Sequence, residues 1–338
     1  MKAAFYEGKK SIYIKEIEKP IPKENEVLIK VKYAGICGSD LELYRTGLHP
    51  SKIVLGHEVV GYIVEKGSEV SKSWKINDRA SIDCTINCGE CFYCKRGEMN
   101  LCTNAKAVGL GVNGGFAEYL TCPESCLVSI PDNVPDRHGT VFDPIASGLL
   151  ALEKSEFVPG SSAVVLGLGS IGQFMLQCLK LAGARTIAVV EKNPHRLEVA
   201  KKFEPDVALD KLKFAKIRRS NKQDVSGLDF VFECSGVPTL VNAAIDLVRK
   251  GGTVAQIGLW HEPISINELK YVLNQITIKG IMGFKRDNFE FAVDLVSQKK
   301  IDPDPIVTSI ISLDDIVEEG FERGIDPDTK DIKILVEP

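Results

Sequence analysis

The sequence predicts an α/β chain in two parts, a mostly antiparallel β domain with irregular loops and a doubly wound parallel sheet. Three observations carry that reading. Short β-type runs broken by Gly and Pro fill residues 1–145, the texture of antiparallel strands between loops. From Ser162 onward, apolar strand-like runs alternate with helical ones, which implies a parallel sheet covered by helices. A glycine-rich turn joins the first of these strands to the first helix. With 338 residues the chain is long enough for about two domains, at roughly 150 residues each.

In the first part the β-type runs are 26–33, 59–66, 79–84 and 115–121. In the second, 162–167 reads as a buried strand, 171–181 as a helix, 185–190 as a strand and 194–203 as a helix. Further strands are expected at 228–234, 253–258 and 276–281, with a helix over 239–249. From about 285 the texture is mixed again: a helix at 288–298, a strand near 307–311 and a last strand at 331–336.

Composition narrows the functional classes. The apolar fraction is 44 % and the charged fraction 26 %, the balance of an ordinary globular protein, which excludes disordered and collagen-like chains. The net charge is −4, whereas a nucleic-acid binder would carry a basic excess or patch. No apolar run approaches the ~20 residues that span a bilayer, and residues 1–10 hold no apolar signal segment. The expectation is a cytoplasmic protein with neither a nucleic-acid nor a membrane partner.

The chain has ten cysteines. In a reducing cytosol they do not read as a disulfide framework, and the clustering of Cys84, Cys88, Cys91, Cys94 and Cys102 points to metal. Cys88-Gly89-Glu90-Cys91-Phe92-Tyr93-Cys94, followed by Cys102, offers four thiolates at ligand spacing. Four thiolates satisfy tetrahedral zinc and leave no open position, so this site would be structural. A polar segment of this kind cannot bury four free thiols by packing alone. A zinc ribbon for nucleic acid is the rival, but Lys95 and Arg96 are the only basic residues in the lobe. Cys84 reads as a bystander in a strand, and Cys122, Cys126 and Cys178 as small core hydrophobes.

Gly167-Leu168-Gly169-Ser170-Ile171-Gly172 places Gly-x-Gly-x-x-Gly between a strand and a helix. The first glycine allows a tight turn, the second a close approach of pyrophosphate, and the third close helix–strand packing. The free N–H groups at the helix start suit phosphate. Glu191 closes the next strand, where a carboxylate would hydrogen-bond the ribose hydroxyls of a dinucleotide. The competing reading is a glycine-rich turn with a surface glutamate.

Gly35-Ile36-Cys37-Gly38-Ser39-Asp40 and Gly56-His57-Glu58 remain. A thiolate, an imidazole and a carboxylate form a mixed set that can leave one zinc position open for substrate. The candidate carboxylates are Glu58, adjacent to His57, and Asp143 in Phe142-Asp143-Pro144. His49, His138, His195 and His261 have no comparable setting and read as surface or loop residues.

Together with Gly114-Gly115-Phe116-Ala117-Glu118-Tyr119, these segments resemble the zinc-dependent medium-chain dehydrogenase family across the whole chain. The likeness is strongest to its polyol branch, which includes butanediol, sorbitol and threonine dehydrogenases. Toward the C-terminus Ile281-Met282-Gly283-Phe284-Lys285 and Ile301-Asp302-Pro303-Asp304-Pro305 carry the resemblance to butanediol dehydrogenases. The resemblance implies a GroES-like catalytic domain over 1–145, with its zinc lobe at 88–102. It implies a Rossmann domain over 146–284 and a return to the catalytic domain over 285–338. It implies two zincs per chain, NAD, a small alcohol or polyol as substrate, and a homodimer or homotetramer.

By the same resemblance Cys37, His57 and an acidic residue hold the catalytic zinc, with Glu58 and Asp143 at the family's acidic positions. Ser39 matches the hydroxyl that hydrogen-bonds the substrate oxygen. Cofactor contacts are expected at Gly167, Gly169, Ser170, Ile171, Gly172, Glu191, Arg196, Cys234, Gly258 and Met282. Three features depart from the branch: Asp143-Pro144 stands where Glu-Pro is usual, Glu42 stands where a relay His is frequent, and the loop over 43–55 is short. The expected activity is reversible oxidation of a secondary alcohol with hydride transfer to NAD. A threonine-type 3-hydroxy amino acid dehydrogenase is the alternative substrate reading. A zinc-free quinone-type reductase is opposed by Cys37, His57 and Glu58, and a non-enzymatic zinc- and NAD-binding regulator by the intact hydride-transfer site.

Overall fold

The computed structural model describes residues 1–49, 52–220 and 226–338. The chain divides into two compact units, Met1–Asp143 with Lys285–Pro338, and Pro144–Phe284.

The first unit begins with β1 (Lys2–Gly8), β2 (Ser11–Glu16) and β3 (Glu26–Gly35), then helix α1 (Gly38–Thr46). Among the described residues β4 (Ile53–Val54), β5 (Glu58–Lys66), β6 (Arg79–Ile82), β7 (Thr85–Ile86), β8 (Lys106–Ala107) and β9 (Tyr119–Pro123) follow. β10 (Leu127–Ser129) closes this part. β3 is the organising strand. Its side chains Val27, Leu28, Ile29 and Ala34 are fully buried, and it pairs antiparallel with both β5 and β9. The 115–121 run forms strand only from Tyr119. Gly114, Gly115 and Phe116 instead donate their N–H groups to the carbonyls of Val54, Gly56 and Leu55, sealing the turn ahead of His57. The run at 79–84 stops at Ile82, which leaves Cys84 outside the strand.

The second unit holds α2 (from Phe142–Ser155, which starts at the boundary), β11 (Ser162–Leu166), α3 (Ser170–Leu181), β12 (Thr186–Val190) and α4 (Pro194–Lys201). It continues with β13 (Val207–Leu209), α5 (Phe214–Ser220), β14 (Leu228–Glu233), α6 (Thr239–Leu247), β15 (Val248–Gln256), α7 (Glu268–Leu273) and β16 (Thr277–Gly280). The strands are parallel in the order β13-β12-β11-β14-β15-β16. That order reverses between β11 and β14, and ligands bind beyond the carboxyl ends of strands at such a switch point. Every residue of β11 is buried, so the strand reads as a continuous apolar run. The 239–249 helix ends at Leu247 because Val248 is already extended and pairs with Leu228.

The chain then returns to the first unit with α8 (Arg286–Ser297), β17 (Val307–Ser312) and β18 (Lys333–Glu337). β18 lies antiparallel to β3, with Leu335 opposite Gly35. It therefore delivers Lys333 beside the start of the Cys37 segment. Among the described residues no helix is long and apolar enough to cross a membrane.

Candidate metal centres and dinucleotide loop

The β3–β5 register builds the first centre. Gly35 lies opposite Glu58, so the two residues after β3 and the residue before β5 meet at one end of the sheet. Ligand atoms of Cys37, His57 and Glu58 all lie within 4.8 Å of one another. A Cβ at Gly35 would overlap the Glu58 carboxylate, so this close approach requires glycine. Asp40, fully buried in the first turn of α1, accepts the Cys37 N–H at 2.9 Å. Its other oxygen stands 3.5 Å from His57 Nδ1. Burial pushes the His57 imidazolium down, but Asp40 and the Cys37 thiol outweigh it and hold the group well above the usual histidine range.

Three buried polar atoms here, Asp40 Oδ1, His57 Nδ1 and Glu58 Oε1, have no hydrogen-bond partner. Unsatisfied buried atoms are rare in native proteins. Asp40 Oδ1 and His57 Nδ1 face one another, and a cation held by a thiolate, an imidazole and a carboxylate accounts for Glu58 Oε1, a donor set that suits zinc.

Asp143 is not in that donor set. Its Oδ2 lies 4.0 Å from Cys84 Sγ, and burial pushes its carboxyl up to about 7, with His57 opposing and Glu58 adding. Cys84 is buried beside it, where burial pushes its thiol well up. Cys84 lies just past β6 rather than in it and belongs to neither donor set. Ser39 is half-buried in the first turn of α1. Glu42, one turn on, binds Arg45 through both carboxylate oxygens at 2.8 and 3.0 Å. In the 43–55 loop, residues 50 and 51 lie outside the described residues.

The second centre is local. Cys88, Cys91, Cys94 and Cys102 bring their sulfurs within 4.8 Å of one another, around two short 3-10 turns, Cys94–Arg96, which Cys94 opens, and Met99–Leu101, which Cys102 follows. The Cys88 N–H points at Cys102 Sγ at 3.5 Å. The backbone N–H groups of Cys94 and Thr103 bring the Cys91 thiol down to about 5, the thiolate form a metal needs. Cys122, Cys126 and Cys178 are buried apart from both centres, at 1 %, 0 % and 1 % exposure.

The glycine loop occupies the switch point. Gly167 has φ +87, and a Cβ there would meet Ser235 at 2.6 Å, so the turns after β11 and β14 touch. Gly169 is the N-cap of α3, and Ser170, Ile171 and Gly172 form its first turn. Glu191 is buried at the end of β12, where Oε2 accepts the Leu168 N–H at 2.7 Å and Oε1 the Asn193 N–H at 2.9 Å. Arg196 lies on α4 and receives Gln173 on its carbonyl. Cys234 follows β14, half-buried, and Gly258 packs on Gly236, where no Cβ fits. Met282 is exposed.

The sequence reading missed Glu233, which is fully buried and takes the N–H groups of Ser235 and Gly236 and the Gln256 amide. It also missed Asp40 and Lys333. Asp40 carries a readable signal, three residues after Cys37 at a helix start. His138, read as a surface or loop residue, is buried with Nε2 2.7 Å from Asp304 Oδ1. It lies in the 3-10 helix Asp136–Thr140, which turns its ring inward.

Two family models match, "Alcohol dehydrogenase GroES-like domain" over residues 23–132 and "Zinc-binding dehydrogenase" over 170–298. The L-threonine 3-dehydrogenase of Alteromonas mediterranea is 33 % identical over 94 % of this chain and 93 % of its own. The chain belongs to the zinc-dependent medium-chain dehydrogenases. The crystal structure of 2R,3R-butanediol dehydrogenase from Bacillus subtilis superposes on this family member with a TM-score of 0.89. That chain is 32 % identical, and the match covers 100 % of this chain and 99 % of the other. A zinc-binding dehydrogenase from Sinorhizobium meliloti bound to NADP superposes with a TM-score of 0.87 at 30 % identity, covering 100 % and 99 % of the two chains. The protein is therefore an enzyme, a dehydrogenase with a GroES-like domain and a Rossmann-type parallel sheet.

Proposed function

We propose that this dehydrogenase reversibly oxidises a secondary alcohol, in a diol, polyol or sugar-derived substrate, to a ketone with NAD. The observation that carries the reading is the Cys37–His57–Glu58 set, with its buried atoms that lack partners. Cys37, His57 and Glu58 would hold a catalytic zinc, with Asp143 outside the ligand set, and Cys88, Cys91, Cys94 and Cys102 a structural one. Bound zinc supplies Lewis acidity that makes a hydroxyl easier to deprotonate, and bound nicotinamide accepts the hydride.

The chain's own residues do the remaining work. Asp40 orients His57 and fixes the Cys37 backbone. Ser39 Oγ receives the substrate hydroxyl's hydrogen bond and takes its proton outward. Glu42, held by Arg45, is the acceptor on the solvent side of that route. The Gly167–Gly172 turn holds the pyrophosphate on the α3 N-terminus, and Glu191 holds the adenosine ribose. Arg196, Cys234, Gly258 and Met282 complete the cofactor contacts. Reaction needs the carbinol carbon and nicotinamide about 3–3.5 Å apart.

Threonine oxidation is the second reading, favoured by the likeness to an L-threonine 3-dehydrogenase. A homodimer or homotetramer in the cytoplasm is part of the proposal. Exposed Leu269, Val272 and Leu273 on α7 support the assembly, and thiolate ligands fit a reducing compartment. A screen of diols, sugar alcohols, inositols, sugar acids and threonine with NAD tests the function. NADH formation with a polyol or diol supports the first reading and with threonine alone the second, whereas no turnover with any secondary alcohol refutes both.

A further inference from the structure

Gln173 follows the last glycine of the Gly167–Gly172 turn, in α3, and is fully buried. Its Nε2 donates to the Arg196 carbonyl at 2.8 Å and to the Leu168 carbonyl at 3.4 Å. Its Oε1 is buried without a hydrogen-bond partner. The amide has one workable orientation, because turned over it would set its oxygen against two carbonyl oxygens. A buried orphan oxygen is rare in native proteins, so the two donated bonds are what hold this polar side chain inside.

Those two bonds close a ring. The Leu168 N–H goes to Glu191 Oε2 at 2.7 Å, and the Asn193 N–H to Glu191 Oε1 at 2.9 Å. Asn193 Oδ1 accepts the N–H groups of His195 and Arg196 at 3.0 and 3.1 Å and so caps α4. The peptides of Leu168 and Arg196 are thus each held on both sides, through N–H and through C=O. Leu168 separates the first two glycines of the turn, and Arg196 lies in the first turn of α4.

We propose that Gln173 is a positioning residue for the adenosine half of a dinucleotide, tying the glycine turn to the start of α4. The inference rests on the reading that the Gly167–Gly172 turn, Glu191 and Arg196 bind a dinucleotide. Without the two donors, the turn and α4 stay joined through Glu191 and Asn193 alone. The Leu168 and Arg196 peptides then have to be ordered by the ligand, and ordering on binding lowers affinity. A ligand that lacks the adenosine half calls on neither peptide and loses nothing.

The test is calorimetric titration of the full-length enzyme with ADP-ribose, beside inhibition by nicotinamide mononucleotide. Gln173→Met, which keeps the length and loses both donors, weakens ADP-ribose about tenfold and leaves the mononucleotide within about twofold. The KM for NAD rises by the same factor as ADP-ribose weakens, and kcat stays within about twofold. Asn193→Ala opens the ring at another point and weakens ADP-ribose to a similar extent, whereas Asn193→Asp, which keeps the cap, stays near the parent. The double variant Gln173→Met/Asn193→Ala is no more than about twofold worse than the weaker single one, because the ring is already open. If Gln173→Met yields no folded protein, the Asn193 pair and Gln173→Leu carry the test. A lower melting temperature with unchanged ADP-ribose affinity, equal losses for both ligands, or losses that multiply to about a hundredfold in the double variant overturn the proposal. A parent enzyme that binds no ADP-ribose in competition with NAD overturns the dinucleotide reading of the turn, and this proposal with it.

Discussion

The cysteine lobe and the Cys37–His57–Glu58 centre draw on similar donors but are assembled in opposite ways. The lobe's four ligands come from one short stretch, residues 88–102, folded on two 3-10 turns. Little else in the chain is needed to bring them together. The other centre depends on strand register: Gly35 opposite Glu58, Leu335 opposite Gly35, and Asp40 at a helix start. Its neighbours come from residues 37, 57, 143 and 333. A local set of four thiolates closes around a metal and contributes its binding energy to folding. A set of mixed donors carried on a rigid sheet keeps its shape without the metal, so a position can stay free for chemistry.

The largest expected difference follows from that contrast. Cys37→Ser is expected to remove turnover, because several kcal/mol of transition-state stabilisation would depend on the metal it is proposed to hold, roughly a thousandfold or more in rate. The β3–β5 register does not depend on that thiol, so circular dichroism and the melting temperature stay near those of the parent. Retained activity in a folded Cys37→Ser variant would sink this part of the account.

The lobe gives the converse. Cys91→Ser leaves three donors around an ion that needs four, and the melting temperature falls by at least about 5 °C, read by calorimetry on both proteins in the same excess of zinc. An unchanged melting temperature would make the lobe an ornament rather than a staple.

The two carboxylates near the open centre sharpen the comparison. Glu58 belongs to the donor set and Asp143 does not. Glu58→Gln therefore changes zinc affinity more than Asp143→Asn, for which a shift of about tenfold or less is expected. Titration with a competing chelator ranks them, and the reverse order would move Asp143 into the ligand set.

In the parallel sheet the expected effects are smaller. Glu191 is fixed by two backbone N–H groups, and a 2′-phosphate beside it meets a like charge. NAD is preferred over NADP by at least about tenfold in kcat/KM, which is ~1.4 kcal/mol, and Glu191→Ser narrows that ratio. Equal efficiency with both cofactors in the parent enzyme refutes it.

Asp229 gives the smallest effect, a control outside both centres. Burial pushes its carboxyl up, but the Ser162 hydroxyl and N–H and the Arg249 guanidinium outweigh it and hold the group below the usual aspartate range. A depressed folded-state value contributes stability that is present above the unfolded value and lost as pH falls through the folded one. Asp229→Asn thus flattens the acid limb of stability below about pH 4. Denaturation at stepped pH reads this out, and an unaltered slope counts against it.

What was legible in the sequence follows the same division. The 88–102 lobe could be read from spacing alone, and so could the β11–α3 turn, because both are local. Cys37 and His57 stand out as types in a suggestive context, and Glu58 is preferred to Asp143 in the sequence because it adjoins His57 and Asp143 is one methylene short; the structure groups Glu58 with Cys37 and His57 and leaves Asp143 out of that group. Lys333 gave no signal, since one lysine in the apolar run Lys333–Glu337 looks like an edge residue until β3 is seen beside it. His138 was misread because a histidine near Pro135 resembles a loop residue, and only Asp304, far along the chain, explains its burial. The segment at 115–118 departs from the expected strand because Gly115 and Phe116 donate their N–H groups to carbonyls of the turn before His57.

The contrast between the two centres is tested most directly by counting zinc in folded, fully loaded protein alongside thermal unfolding. The account predicts about two zincs per chain in the parent and about one in each of Cys37→Ser and Cys91→Ser, with stability lost only in Cys91→Ser. Fewer than two zincs in the parent, or Cys37→Ser losing as much stability as Cys91→Ser, would contradict it.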